Sequence, residues 1–289
     1  MKHLVVGASG QIGGAVYKSL HEKNQDVMGT WFSQPARGMR KLDVNDRSRL
    51  FKLVKEASPD VIYACSGMTN VDRCESEPKE SFRINVVGLA NLVEAANRAD
   101  AKIVLLSSDY IFDGAKGPYD VGDLPNPLNV YGYHKVLCEQ HVATVAKSFL
   151  IVRTTVVYGW EAVGKNFIAR LLHKLSQGQK VKVPSDQIGS PTYNRNFSRA
   201  LIELVSNDER GVFHLSGSTQ TDRYSFAVRA AQVFGLDSRL IHAVSSAELK
   251  QKARRPLKAG LKLEKTREVI STKLLGHEDG LRQMLKDEL

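Results

Sequence analysis

Tyr131 and Lys135 stand four residues apart in a stretch, residues 130–147, whose pattern predicts a helix, so their side chains share one face a turn apart. An ammonium beside a phenol favours tyrosinate and lowers its pKa, which makes such a tyrosine a proton donor and acceptor near neutral pH. Ser107 and Ser108 follow the apolar run 102–106. A hydroxyl at a strand end can hold a substrate carbonyl, because open α/β sheets bind ligands at their carboxyl edge. By itself Tyr-x-x-x-Lys is a chance pattern of many helices. It gains specificity from the order of the parts: a glycine turn, then a serine at a strand end, then the Tyr/Lys pair.

That turn is Gly7, Gly10 and Gly13 in GASGQIG, between the first predicted strand and the first predicted helix. Glycine there permits a tight turn, close approach of backbone to a pyrophosphate and close packing of helix on strand, while the helix N-terminus offers free N–H groups. The spacing is GxxGxxG, not the GxGxxG of the common dinucleotide fingerprint, and only its place in the chain makes it a strong signal. An acidic residue ending the second strand would bind the adenosine ribose and select NAD. Thr30, Trp31, Phe32 and Ser33 stand there, with Arg37 and Arg40 behind them. The cofactor expected is therefore NADP(H), with NAD(H) as the second option; the two arginines equally suit exposed loop positions.

The elements that must position these residues alternate. Residues 2–6, 26–30, 60–64, 102–106 and 149–154 read as strands, and 11–22, 47–56, 79–99 and 130–147 as helices. That alternation predicts an α/β chain: a Rossmann-type, doubly wound parallel sheet covered on both faces by right-handed crossovers. After Tyr158 the regularity weakens. Residues 1–158 are expected to form the dinucleotide-binding domain, residues 159–289 mainly a smaller C-terminal substrate-binding region, and 211–215 a strand returning to the main body. A loop rich in Gly, Pro and Asp, 113–129, precedes the Tyr/Lys helix.

At 289 residues, 42% hydrophobic and 25% charged, the chain can bury a sizeable core, which excludes disorder. No apolar run reaches the roughly 20 residues needed to cross a bilayer, and residues 1–10 lack the regions of a signal peptide; a cytoplasmic protein without membrane contact is expected. The terminal Lys286-Asp287-Glu288-Leu289 spells an endoplasmic-reticulum retention signal, read here as chance because nothing upstream directs the chain into that lumen. Cys65, Cys74 and Cys138 are odd in number and scattered, so neither disulfides nor a metal site is expected. The net charge is +10, its basic residues spread widely apart from one cluster, residues 250–267. A diphosphate ligand, a nucleic acid or a solvated face would each account for it; the expectation is a diphosphate, with no nucleic-acid partner.

Over nearly its whole length the sequence resembles the extended short-chain dehydrogenases, and within them the dTDP-4-dehydrorhamnose reductase group. The matching pieces are GASGQIG at 7–13, TNVDRCESEP at 69–78, INVVGLANL at 84–92, SSDYIFDG at 107–114, PLNVYGYHK at 127–135, VRTTVVYG at 152–159, DQIGSPTY at 186–193 and ARRP at 253–256. The resemblance implies NADP(H)-dependent reduction of the 4-keto group of a nucleotide-linked deoxysugar, with Ser108, Tyr131 and Lys135 catalytic and Asn85 supporting them. It implies that Ser9, Gln11 and Ile12 accompany the three glycines at the cofactor, with Asp43 and Val44 near the adenine and Cys65, Ser66, Gly67 and Asn85 beside the cofactor, while Arg37 stays the candidate for a 2′-phosphate from its place after the second strand. Thr69, Val71, Asp109, Tyr110, Gln187 and Pro191 fall to the nucleotide sugar, with Arg254 or Arg255 on its diphosphate. A homodimer is compatible with this. Rhamnose-forming members usually carry Trp at Val156 and Tyr at Met68, so aromatic contact with the sugar is reduced and the particular sugar is left open.

Three other functions are weighed. A sugar-nucleotide dehydratase would place an Asp-Glu pair after the active-site hydroxyl, because eliminating water needs a second acid and base; Asp109 and Tyr110 stand there instead. A 4-epimerase would use the same triad and consume no NADPH. A non-catalytic NADP-binding regulator, like the regulatory subunit of methionine adenosyltransferase, would share the SSDYIFDG segment but would not need every catalytic group this chain keeps.

Overall fold

The computed structural model describes residues 1–161 and 164–287; Glu288 and Leu289 of the terminal tetrapeptide lie outside the described residues. The apolar runs become a sheet of seven parallel strands: β1 (Lys2–Val6), β2 (Asp26–Trp31), β3 (Arg40–Lys41), β4 (Val61–Ala64), β5 (Lys102–Ser108), β6 (Phe149–Thr154) and β7 (Gly211–His214). Their order is β7-β6-β5-β4-β1-β2-β3. The order reverses between β1 and β4, where the crevice for a ligand opens beyond the strand ends.

Every residue of β4 and β5 is buried, as expected of strands covered on both faces. Alternate side chains then serve two cores. Ile103 and Leu105 pack with Leu50, Leu53, Leu92 and Val142, which come from α2 (Arg47–Ala57), α3 (Gly88–Arg98) and α4 (Val130–Val145). Val104 and Leu106 pack with Val16, Leu20, Phe197 and Leu201, from α1 (Gln11–Glu22) and a later helix, Asn194–Ser206. The second half of the chain thus supplies both a strand and a covering helix to the sheet.

A separate core joins Ile168, Leu171 and Leu172 to Phe226, Ala230, Leu281 and Met284. It is built from α5 (Phe167–Ser176), then, after the helix Asn194–Ser206, labelled α6, from α7 (Arg223–Val233) and α8 (His277–Lys286). Two-stranded pairs stitch this part together, among them the antiparallel pairing of Asp222 with Ile188. No described helix is long and apolar enough to cross a membrane.

The helix expected at 79–99 is not uniform. It runs as Pro78–Phe82, a π-helical turn Arg83–Val87, and α3. The strand expected to stop at Leu106 continues through Ser107 and Ser108, which pair in register with Arg153 and Thr154. The sequence reading also missed β3, two exposed residues held only at the sheet edge.

Candidate active site

The glycine turn is held by its neighbours. Ala8 N–H donates to Thr30 O (2.7 Å) and Gly7 N–H to Thr30 Oγ1 (3.2 Å). Gly7 has φ +88°, and a Cβ there would sit 2.8 Å from Ser66 N; one at Gly13 would sit 2.3 Å from Gly7 O. Both positions therefore exclude larger residues. Gly10 caps α1 with no side-chain acceptor, so the first N–H groups of the helix face the crevice edge with their dipole free for an anion. This cradle fits a dinucleotide diphosphate. Gln11 Nε2 reaches across to Val157 O (3.0 Å), Ser9 lines the cleft, and Ile12 packs into the core below.

Around the rest of the expected cofactor path, Asp43 Oδ1 accepts from Asn45 N (2.9 Å), and Val44 is buried with its carbonyl held by Asn91 Nδ2 (3.0 Å). Cys65 N donates to Val6 O (2.9 Å), tying the end of β4 to β1. Arg37 is exposed in the loop after β2. Arg40 differs: its guanidinium is paired with Glu56 (2.7 Å).

Tyr131 and Lys135 share a face of α4, whose start is fixed by Asn129 accepting from Gly132 N (2.9 Å). Tyr131 packs against Met68 and Cys74 and meets Tyr110 edge to face, ring centroids 5.8 Å apart. Ser108 Oγ donates to Asp109 Oδ1 (2.9 Å) and accepts from Tyr110 N (3.2 Å). Asp109 Oδ2 accepts from Thr155 Oγ1 (2.6 Å).

The lysine does not bring the phenol's pKa down as the spacing alone predicts. Lys135 Nζ donates to Leu106 O (2.8 Å) and lies 5.7 Å from the Tyr131 ring centroid. Burial raises the Tyr131 pKa, the Asp109 charge adds to that, and the Ser108 hydroxyl only partly offsets it. Burial likewise lowers Lys135. Desolvation dominates at both groups, and Tyr131 keeps its proton at neutral pH. The Asp109 carboxyl, 3% exposed, is pushed up to about 6 by burial against the pull of the Thr155 and Ser108 hydroxyls.

Asn85 sits in the π turn, a feature frequent at functional sites. Its Oδ1 accepts from Met68 N (2.7 Å) and its Nδ2 donates to Met68 O (3.0 Å) and Ser81 Oγ (3.3 Å). It thereby clamps the loop after β4, and a Cβ on Gly67 would crowd its Oδ1 at 2.9 Å. α4 itself is anchored by Glu139, which takes a bidentate pair from Arg153 on β6 (2.7 Å at the closest), both side chains under 10% exposed.

A cleft of about 810 Å³ runs from Ser9, Gly10 and Gln11 of the glycine cradle to Tyr110; Ser108, Tyr131 and Lys135 are not among the side chains that line it. Thr69, Val71, Tyr110, Gln187 and Arg255 line it; Asp109, Pro191 and again Tyr110 and Gln187 line a smaller adjoining pocket. Arg254 is not among them. It is exposed, and what holds it is its carbonyl, which accepts from Asn129 Nδ2 (2.8 Å). Arg255 faces the cleft but is paired with Asp72 (2.9 Å).

The sequence reading missed Thr155, Phe167 and Arg223. Thr155 bonds Asp109, Phe167 and Arg223 line the cleft, and the three reach the site from segments scattered over the second half of the chain. It weighed Val156 only as a departure from a Trp. The structure gives Val156 φ +41° and sets it in the walls of both cavities. A β-branched residue is an outlier there, and such strain gathers at ligand sites.

A family model described as the RmlD substrate binding domain matches residues 1–289. A dTDP-4-dehydrorhamnose reductase of Sinorhizobium fredii is 32% identical over 299 residues, covering 99% of this chain and 97% of that protein. The methionine adenosyltransferase 2 subunit beta of Xenopus tropicalis is 30% identical over 242 residues, covering 81% and 72%. The crystal structure of dTDP-4-dehydrorhamnose reductase from Bacillus anthracis, in complex with NADP, has a TM-score of 0.91 to this chain at 27% identity, covering 99% and 100%. The glycine cradle, the Ser108/Tyr131/Lys135 grouping and this end-to-end match lead to one assignment: the chain belongs to the RmlD substrate binding domain family.

Proposed function

We propose that this protein reduces the 4-keto group of a nucleotide-linked deoxysugar with NADPH, in the cytoplasm. The observation that carries the reading is the Ser108 hydroxyl set against the phenol of Tyr131. Ser108 is next in the chain to Asp109, and Tyr131 packs edge to face with Tyr110, which lines a cleft whose other end is the glycine cradle. NADPH held by the glycine cradle of Gly7, Gly10 and Gly13 would supply the hydride for the carbonyl carbon. Tyr131 then gives its proton to the oxygen that becomes the alkoxide, which needs an acid and not a tyrosinate at the start. Ser108 orients the carbonyl oxygen, with Asp109 and Thr155 fixing the serine's rotamer. Lys135, bonded to the Leu106 carbonyl, holds a positive charge near the phenol that eases its ionisation once the proton leaves. The part built on α5, α7 and α8, with its own apolar core, forms the sugar-nucleotide wall in this reading.

The NADP complex of the Bacillus anthracis relative supports the cofactor choice, as does the absence of an acidic side chain after β2, where Phe32 and Ser33 stand. The likeness to methionine adenosyltransferase 2 subunit beta favours a second reading, a nucleotide-binding regulator. One experiment separates the two: oxidation of NADPH, followed by its absorbance, against a panel of dTDP-, UDP-, GDP- and CDP-linked 4-keto sugars. Consumption of stoichiometric NADPH with at least one of them is the expected result. No oxidation with any, together with co-purification of a synthetase, would establish the regulator; interconversion of sugars without net oxidation would establish an epimerase.

A further inference from the structure

We propose that Arg223, and neither arginine of the 253–256 segment, is the guanidinium that grips the sugar-proximal phosphate of the substrate. This rests on the reading above that the cleft takes a nucleotide sugar, and it names the residue that recognises the phosphate.

The cations of the cleft are not equivalent. Arg255 is already matched: Asp72 holds one end of its guanidinium at 2.9 Å and the Ala253 carbonyl another at 3.2 Å. Lys165 and Arg170 are exposed side chains of the cleft. Arg223 is half-buried and lines both the main cleft and the smaller pocket beside Asp109 and Tyr110. Among the described residues no carboxylate pairs with it. Asp109 shares the smaller pocket and feels the Arg223 charge without forming an ion pair with it, while Asp222 caps α7 through Ser225 N (2.8 Å) and Glu161 accepts from Asn166 Nδ2 (2.8 Å). A half-buried guanidinium held in no ion pair keeps its donors available for a ligand's anion.

The side chain is also held in advance. Its backbone N–H donates to Gln187 O (3.0 Å), the Asp222–Ile188 pairing fixes the residue before it, and its guanidinium lies over the Phe167 ring, 5.4 Å from the centroid. Stacking on an aromatic face leaves the planar fork pointing edge-on for two parallel hydrogen bonds. The place suits the chemistry. A pyranose carries C4 opposite C1, so a phosphate on C1 must be gripped one ring's width from the hydroxyls that act at C4. Arg223 shares the smaller pocket with Asp109 and Tyr110, the neighbours of those hydroxyls, and its charge is felt by both.

The test measures binding of dTDP and dTMP by calorimetry, and of NADPH by fluorescence, to the full-length wild type, Arg223→Gln and Arg223→Lys. dTDP carries the sugar-proximal phosphate and dTMP lacks it. The expected result is a dTDP affinity lowered roughly 10- to 100-fold in Arg223→Gln, with dTMP and NADPH within about twofold of wild type and Arg223→Lys between the two. UDP should lose as much as dTDP, since the contact is to phosphate. An unchanged dTDP affinity would overturn the proposal, and so would equal losses for dTDP, dTMP and NADPH, which mark a damaged wall. A wild type that binds no nucleoside diphosphate also overturns it. If dTDP binding depends on Arg223 while no 4-keto sugar is reduced, the reductase reading falls and the phosphate site stands.

Discussion

Replacing Asp109 by asparagine should make the protein's stability respond differently to pH. The carboxyl is buried among Ser108, Thr155 and Tyr110, and its pKa is raised from 3.8 to about 6 because desolvation penalises the charged form. A shift of that size corresponds to about 3 kcal/mol. The sign follows from proton binding. The folded carboxyl keeps its proton more tightly than the unfolded one, so it favours folding below about pH 4, loses that advantage as pH rises, and carries the full cost above about pH 6. The amide of the variant cannot ionise. It also leaves one of the two donor hydroxyls to turn, a pH-independent change of about 1 kcal/mol. Urea unfolding of both proteins from about pH 4 to about pH 7.5 therefore separates the two effects. The stability of Asp109→Asn relative to wild type should rise by about 2.4 kcal/mol across that range, whatever its offset at the acid end. A difference that stays flat, or that moves toward wild type with rising pH, would refute the assignment of a strained, ionised carboxylate at neutral pH.

Tyr131→Phe should lower turnover roughly 100-fold or more, since proton transfer by a placed side chain contributes about that much, with the NADPH dissociation constant unchanged; wild-type rates would remove Tyr131 from the mechanism. Arg37→Ala should lower the ratio of kcat/KM for NADPH over NADH, whereas Arg40→Ala should leave it alone, because Glu56 already holds that guanidinium; equal ratios in all three proteins would dismiss a phosphate role for Arg37. Glu139→Gln should destabilise by roughly 3–5 kcal/mol, because it leaves the Arg153 guanidinium buried and uncompensated. A shift in unfolding free energy below about 1 kcal/mol would mean that Val121 O and His214, which also face Arg153, suffice.

What the sequence reveals is what short-range chemistry determines. The glycine turn is legible because Gly7 and Gly13 are required close together in the chain by steric contacts with Ser66 and with the turn itself. The Tyr131/Lys135 face is legible because a helix places residues i and i+4 together regardless of what surrounds them. The same locality misleads about the phenol's pKa. Spacing reports that an ammonium is near but not that its proton goes to the Leu106 carbonyl, and it says nothing of the burial that dominates both groups.

The cleft cations show where this reasoning stops. Arg254 and Arg255 look like a pair in sequence, yet successive residues of an extended segment point to opposite sides, so one is exposed and the other meets Asp72, from the far half of the chain. Arg223 has no motif: it follows a helix-capping Asp222 like many a first-turn residue, and only the pairing of Asp222 with Ile188 and the placement of α5 bring it over Phe167 and beside Asp109. Asp72 is the residue that makes the distinction. It holds Arg255 in an ion pair, whereas among the described residues no carboxylate pairs with Arg223, and an acidic side chain at no fixed spacing from either arginine is what separates the two in the phosphate reading proposed above.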